Sequence, residues 1–193
     1  MRRLGWGGSM TGTYAQVERL FADFGMHAYL GEAVTQQEHA LQTADLAQRD
    51  SATDALVIAA LLHDIGHILV EDAHGAHHAR IDAHHDDAGA DWCATHFGAS
   101  VANPVRLHVA AKRYLVTIDP DYFATLSEAS VHTLSLQGGR MDQSEVAAFE
   151  RLDGWQEAIA LRRWDDRAKV PGRPVPPLSA YRPVIERLAQ ARV

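Results

Sequence analysis

Apolar positions recur at helical spacing along most of the chain, and alternation of the kind that marks a strand is weak throughout. Val17, Leu20, Phe21 and Phe24 make a first stripe, which Gly25 ends. Residues 29–35 have no helical period and carry Gly31 between the hydroxyl of Tyr29 and the carboxylate of Glu32, which reads as a loop. Thr35 and Glu38 spell a capping box, so a helix is expected over residues 36–49, with Ala40, Leu41, Ala44 and Ala47 inward and His39 in its first turn. Ser51 or Thr53 caps the next helix, where residues 55–62 are apolar without a break and predict burial on all sides. That run ends in His63 and Asp64. His63 shares a face with Leu56, Ala59 and Ala60, and Gly66 is expected to permit a turn just beyond.

From Val70 to Asp82 the chain is polar and rich in histidine, which predicts a loop. Helical spacing resumes over residues 83–97: His85, Gly89, Trp92 and His96 share a face, and His84 lies about 100° around it. Gly89 would let another backbone approach closely. Asn103 and Pro104 read as a cap and a first-turn proline, followed by a stripe of Val105, His108, Val109 and Lys112. A turn and a short helix are expected over residues 117–130, then a run headed by Ser130 that breaks at Gln137-Gly138-Gly139, then a connection with helical character over residues 141–150. Trp155, Ile159, Arg162 and Asp165 or Asp166 fall close to one face of a further helix, where Arg162 and Asp165 can reach the same point. A proline-rich connector, residues 170–177, leads to a last amphipathic helix with Tyr181, Val184, Ile185 and Leu188 inward. The expected architecture is all-α, a helical bundle in a single domain over residues 16–193, preceded by an extension of residues 1–15.

Composition narrows this. At 193 residues and 47% hydrophobic content the chain can bury one substantial core, and no apolar run approaches the ~18 residues of a membrane span. The basic start of the chain lacks the apolar segment of a secretory signal. One cysteine, Cys93, excludes an intramolecular disulfide framework and fits a reducing cytoplasm. A net charge of -7 without a Lys/Arg cluster argues against a nucleic-acid surface. The unusual feature is histidine: there are 12, all between positions 27 and 132.

That enrichment points to metal. His39, the pair His63 and Asp64, His85, His108 and Asp165 each lie on or beside an amphipathic helix. Such a set exceeds the roughly three protein ligands of one catalytic zinc. Two cations sharing the two oxygens of Asp64 would use all of it. Imidazole with carboxylate suits iron, manganese or zinc. Lys112, one turn after His108 on an inward stripe, makes sense in a pocket that receives an anion.

These residues resemble the HD superfamily, whose signature is His, then His-Asp, then Asp on an all-helical scaffold; here the positions are His39, His63, Asp64 and Asp165. The segments Tyr29-Leu30-Gly31-Glu32, Gln36-Gln37-Glu38-His39, Leu62-His63-Asp64-Ile65-Gly66-His67, His108 to Leu115 and Leu161 to Asp166 further resemble the PhnZ-type mixed-valent diiron oxygenases of phosphonate breakdown. The resemblance implies one iron on His39, His63, Asp64 and Asp165 and a second on Asp64, His85 and His108. It implies that Tyr29 is a displaceable ligand of the second iron, that Glu32 faces the substrate's amino end, and that His67, Lys112, Ser130 and Arg162 line the phosphonate pocket. The chain departs from the family pattern at His84-His85-Asp86-Asp87, where a single histidine is usual; spacing to Gly89 selects His85.

The chemistry so implied is oxygen-dependent cleavage of the carbon–phosphorus bond of 1-hydroxy-2-aminoethylphosphonate or its N-trimethylated form, giving glycine or glycine betaine and phosphate. A metal-dependent HD phosphohydrolase would need the same His-Asp core, but it gives no reason for the Tyr29–Glu32 loop or the inward Lys112. A non-catalytic HD ligand-binding module has no need of every signature ligand.

Overall fold

Ten α-helices form among the described residues of the computed structural model, which are 12–29, 31–74 and 85–191. Helix α1 (Thr13–Phe24) buries Tyr14, Val17, Leu20 and Phe21. It begins inside the expected extension, and residues 1–11 lie outside the described residues. Helix α2 (Gln36–Arg49) starts on the capping box: Thr35 Oγ1 accepts from the Glu38 amide at 3.1 Å, and Glu38 accepts from the Thr35 amide at 2.8 Å. Thr53 caps α3 (Asp54–Leu62), whose residues from Leu56 to Leu62 are all buried. Among the described residues no strand occurs, only an isolated bridge between Ala28 and Thr35 at the base of the Tyr29 loop.

Two expectations need correction. Gly66 does not open a turn: it lies in α4 (Ile65–His74), so the helix takes in the first residues of the expected loop, and residues 75–84 lie outside the described residues. The glycine is there for close approach. A Cβ on Gly66 would sit 1.8 Å from the carbonyl oxygen of His85, at the start of α5 (His85–Phe97), and one on Gly89 would meet the Gly66 amide at 3.1 Å. The second correction is that Pro104 is inside α6 (Ala99–Ile118), which starts well before the expected cap. The missing proline amide frees only the carbonyl of exposed Ser100, which water can satisfy, while Val101, Ala102 and Val105 gain burial.

A 3-10 turn (Tyr122–Thr125), α7 (Glu128–Leu136), α8 (Gln143–Phe149) and α9 (Trp155–Arg167) follow, and a second 3-10 turn (Leu178–Tyr181) leads into α10 (Arg182–Gln190). Helix α6 packs on α5, α9 and α3, and α2 packs on α3 and α9. The apolar core is divided. One cluster joins α1 to α5, the first half of α6 and α10; a second joins the far half of α6 to α7, α8 and the start of α9. Helices α6 and α9 cross from one to the other, and the polar side chains His108, Lys112, Arg162 and Asp165 are buried along that seam. Among the described residues no helix is long and apolar enough to cross a membrane.

Candidate metal centre

The seam brings together residues spread over more than 120 positions of sequence, from His39 to Asp165. His39 enters from the first turn of α2, His63 from the end of α3, His85 from the start of α5, His108 from the middle of α6 and Asp165 from α9. Trp164 holds α9 to the end of α2 by donating to Asp50 at 2.6 Å. Asp64 stands between the groups. Its Oδ2 is 3.2 Å from His63 Nε2 and 3.6 Å from His39 Nε2, and its Oδ1 is 3.4 Å from His108 Nε2 and 3.5 Å from His85 Nε2. Asp165 Oδ1 closes the first group at 3.3 Å from His39 Nε2. His84 lies outside the described residues.

Hydrogen bonds at the far side of each ring set which nitrogen faces the centre. Nδ1 of His39 is 2.9 Å from the Ala168 carbonyl, Nδ1 of His63 is 2.9 Å from that of Ala60, and Nδ1 of His108 is 2.6 Å from that of Val105. A carbonyl accepts only, so each Nδ1 carries a proton and it is Nε2 that each ring turns to the centre. The nitrogens converge: His39 and His63 Nε2 are 3.1 Å apart, and His85 and His108 Nε2 are 3.3 Å apart. A proton shared between the rings or a cation held by both accounts for so close an approach.

The charge balance agrees. Burial opposes charge on Asp64 and on His63, yet His63 beside it holds Asp64 well below the usual carboxylate range, and Asp64 and Asp165 push His63 up to about 9. A proton on His63 thus stands where positive charge is wanted. Asp64 Oδ2 and Asp165 Oδ1 are buried without a well-aligned hydrogen bond. The donor set therefore fits cations, in two groups: His39, His63 and Asp165 offer atoms all within 4.8 Å of one another, as do Asp64, His67 and His85.

His67 is accordingly nearer the centre than a pocket wall requires. It stacks on His85 with ring centroids 3.9 Å apart, and burial, then the neighbouring His85, lowers it to about 3. It is neutral at any working pH, and its Nε2 has no hydrogen-bond partner among the described residues. Tyr29 stacks on His39 at 4.0 Å; burial and then the carboxylates of Asp64 and Asp165 raise its hydroxyl well above the usual phenol range, so it keeps its proton.

Beyond the cluster stand shielded cations. Lys112 is almost fully buried, donates to Thr133 at 2.8 Å, and is lowered to about 7 by burial and then by Arg162. Arg162 is not a free cation: it pairs with Asp165 at 2.8 Å and with Asp166, and its Nη2 is 3.5 Å from Ser130 Oγ. Glu32 is likewise engaged, by Lys169 at 3.1 Å and by Ser127 at 2.5 Å. Sequence patterns did not single out Lys169, Ser127 or Thr133. Lys169 follows the end of α9 in a connector without periodicity, so no stripe marks it; Ser127 could have been found as the N-cap of α7, whose side chain accepts from the Ser130 amide.

Comparison with known proteins matches the HD domain family over residues 37–144. A hydroxymethylphosphonate dioxygenase of Gimesia maris is 46% identical over 168 residues, covering 86% of this chain and 83% of that protein. A glycine-betaine-forming [1-hydroxy-2-(trimethylamino)ethyl]phosphonate dioxygenase of Leisingera caerulea is 40% identical over 169 residues, covering 88% and 86%. An uncharacterized protein of Acanthamoeba polyphaga mimivirus is 35% identical over 175 residues, covering 89% and 80%.

Proposed function

This chain belongs to the HD-domain family, in the PhnZ-type branch of phosphonate dioxygenases, and from that premise we propose that it cleaves the carbon–phosphorus bond of a 1-hydroxyphosphonate with molecular oxygen. The substrates that the resemblance implies are 1-hydroxy-2-aminoethylphosphonate and its N-trimethylated form, with glycine or glycine betaine and phosphate as products; hydroxymethylphosphonate, named for the Gimesia maris relative, is a third member of the same class. The atoms balance without an external reductant. The carboxylate gains one oxygen atom over the substrate's alcohol carbon, phosphate gains one over the phosphonate, and the substrate supplies all four electrons that reduce oxygen.

The observation that carries the reading is Asp64, whose two oxygens each face a separate pair of imidazole nitrogens at 3.2 to 3.6 Å. In it, His39, His63, Asp64 and Asp165 hold one iron and Asp64, His85 and His108 the other, as a mixed-valent Fe(II)/Fe(III) pair. Iron bound there supplies Lewis acidity to lower the hydroxyl pKa and redox capacity to reduce oxygen. The protein does the rest by placement. Lys112 and Ser130 hold phosphonate oxygens, with Arg162 reinforcing Ser130 and the carboxylates behind it. His67 offers its unpartnered Nε2 to the bound anion. Tyr29, proton retained, covers the cluster and excludes water until substrate replaces it. The site of action is the cytoplasm, where buried Cys93 stays reduced.

The test is iron-reconstituted protein mixed with each hydroxyphosphonate, with phosphate and oxygen followed together. Equal molar release of phosphate and consumption of oxygen is expected, with none of either under argon. Phosphate freed from a phosphate ester without oxygen would instead identify a hydrolase.

A further inference from the structure

Lys169 sits at a point the backbone holds firmly. Its neighbours on both sides are tied to α2: the Ala168 carbonyl accepts from His39, and the side-chain amide of Gln42 bonds Val170 twice, donating to its carbonyl at 2.8 Å and accepting from its amide at 3.1 Å. The residue between is thereby aimed at the Tyr29–Glu32 turn and the start of α7. Its Nζ lies 3.1 Å from Glu32, 2.9 Å from Ser130 Oγ and 3.4 Å from Ser127 Oγ, and 5.9 Å from the centre of the Tyr29 ring. Both partners of the ion pair are shielded, with side-chain exposures of 12% and 14%. Glu32 comes from a tight turn in which its amide donates to the Tyr29 carbonyl at 2.7 Å and Gly31 takes φ 85°. Tyr29 and Glu32 are therefore held in one turn, the first lying over His39 and the second on Lys169.

We propose that Lys169 is a specificity-determining residue: it occupies Glu32 from within the protein, so that the carboxylate placed to receive a substrate ammonium is already neutralised and the pocket favours hydroxyphosphonates with no cationic tail. The inference rests on the oxygenase reading above. A cationic substrate must displace one ammonium to seat another, at nearly equal electrostatic gain, and must approach Lys169 itself. A hydroxyphosphonate without a cation leaves the pair intact. It also brings its anion to a pocket where Lys169, through Ser130, adds positive charge beside Lys112.

The experiment measures kcat/KM for hydroxymethylphosphonate and for 1-hydroxy-2-aminoethylphosphonate in the iron-loaded enzyme and in Lys169→Met, Lys169→Arg and Glu32→Gln. Lys169→Met frees Glu32, and the ratio of aminated to hydroxymethyl substrate is expected to rise about tenfold. Lys169→Arg keeps the ratio, and the Glu32→Gln, Lys169→Met double variant loses the gain. Glu32→Gln alone leaves Lys169 positive and unpaired and lowers the ratio, which keeps the idea testable should Lys169→Met not fold. Equal losses on both substrates, with an unmoved ratio, would mean a merely structural ion pair and overturn the proposal while leaving the oxygenase reading intact. A wild-type enzyme that consumes no oxygen with either substrate overturns that reading and takes the specificity role with it.

Discussion

The two oxygens of Asp64 face differently built surroundings. On the Oδ2 side stand His39, His63 and the carboxylate of Asp165, with Arg162 behind that carboxylate at 2.8 Å, and both imidazoles are oriented by backbone carbonyls. On the Oδ1 side stand imidazoles: His85, His108 and, stacked on His85, His67. The first side is closed by an anion and by the tie of α9 to α2. The second leads by one helical turn along α6 to Lys112. A side with an added negative donor suits the more highly charged cation, and a side of neutral donors next to a cationic pocket suits the one that meets an anionic substrate. The contrast teaches that one carboxylate can face two unlike surroundings when the helices around it differ in charge.

The strongest way to break the contrast is to remove what the sides share. On the proposed diiron reading, Asp64→Asn should lower activity by ~10^3-fold or more, because a neutral amide cannot bridge two cations, and metal analysis should show both irons lost. His85→Ala should release one iron and keep the other; loss of both would show that the two sides are not independent positions. Gly66→Ala acts on the Oδ1 side alone, since the new methyl would collide with the His85 carbonyl. It should destabilise the fold by about 3 kcal/mol in chemical denaturation and release the Oδ1 iron first.

Lys112 sharpens the contrast through pH. Its ammonium is lowered to about 7 by burial and by Arg162, so in the free enzyme the charge proposed to receive the phosphonate is lost as pH rises through about 7. kcat/KM should fall over that range, and Lys112→Arg should carry the fall to higher pH. The stability effect has the opposite sign. Between about 7 and the ordinary lysine value the unfolded chain binds more protons than the folded one, so this group makes the fold more stable as pH rises there. Below about 7 its full cost is present, and Lys112→Met should stabilise the substrate-free protein in that range by a few kcal/mol while lowering kcat/KM about tenfold. The smallest effect belongs to Tyr29→Phe. It should change stability by about 1 kcal/mol or less, leave iron content largely intact, and alter oxygen sensitivity in the absence of substrate, as read by the decay of the paramagnetic signal in air. Loss of both irons in that variant would contradict a displaceable covering role.

Much of the scaffold was legible because its signals are local. The Thr35 and Glu38 box sets the start of α2, and the unbroken apolar run sets α3 as a helix buried all round. Inward spacing brought His63, His108 and Lys112 forward as candidates, and each is buried along the seam. Gly66 was misjudged because a glycine after a buried helix signals a turn as readily as a close contact, and only the neighbouring backbone of His85 decides between them. Pro104 was misjudged because the extra helical turn before it depends on packing against α5, which local spacing does not contain.

What the chain by itself determined is therefore the set of helices and the kind of side chain each turns inward, since periodicity and capping are properties of neighbouring residues. Which of those side chains meet was decided by tertiary structure. The division of imidazoles between the two oxygens of Asp64 joins it to residues as far as 44 positions away, and the arrival of Lys169 at Glu32 joins residues 137 positions apart. Electrostatic partners are chosen by distance in space and by the loss of competing water, and neither quantity is defined until the helices have packed.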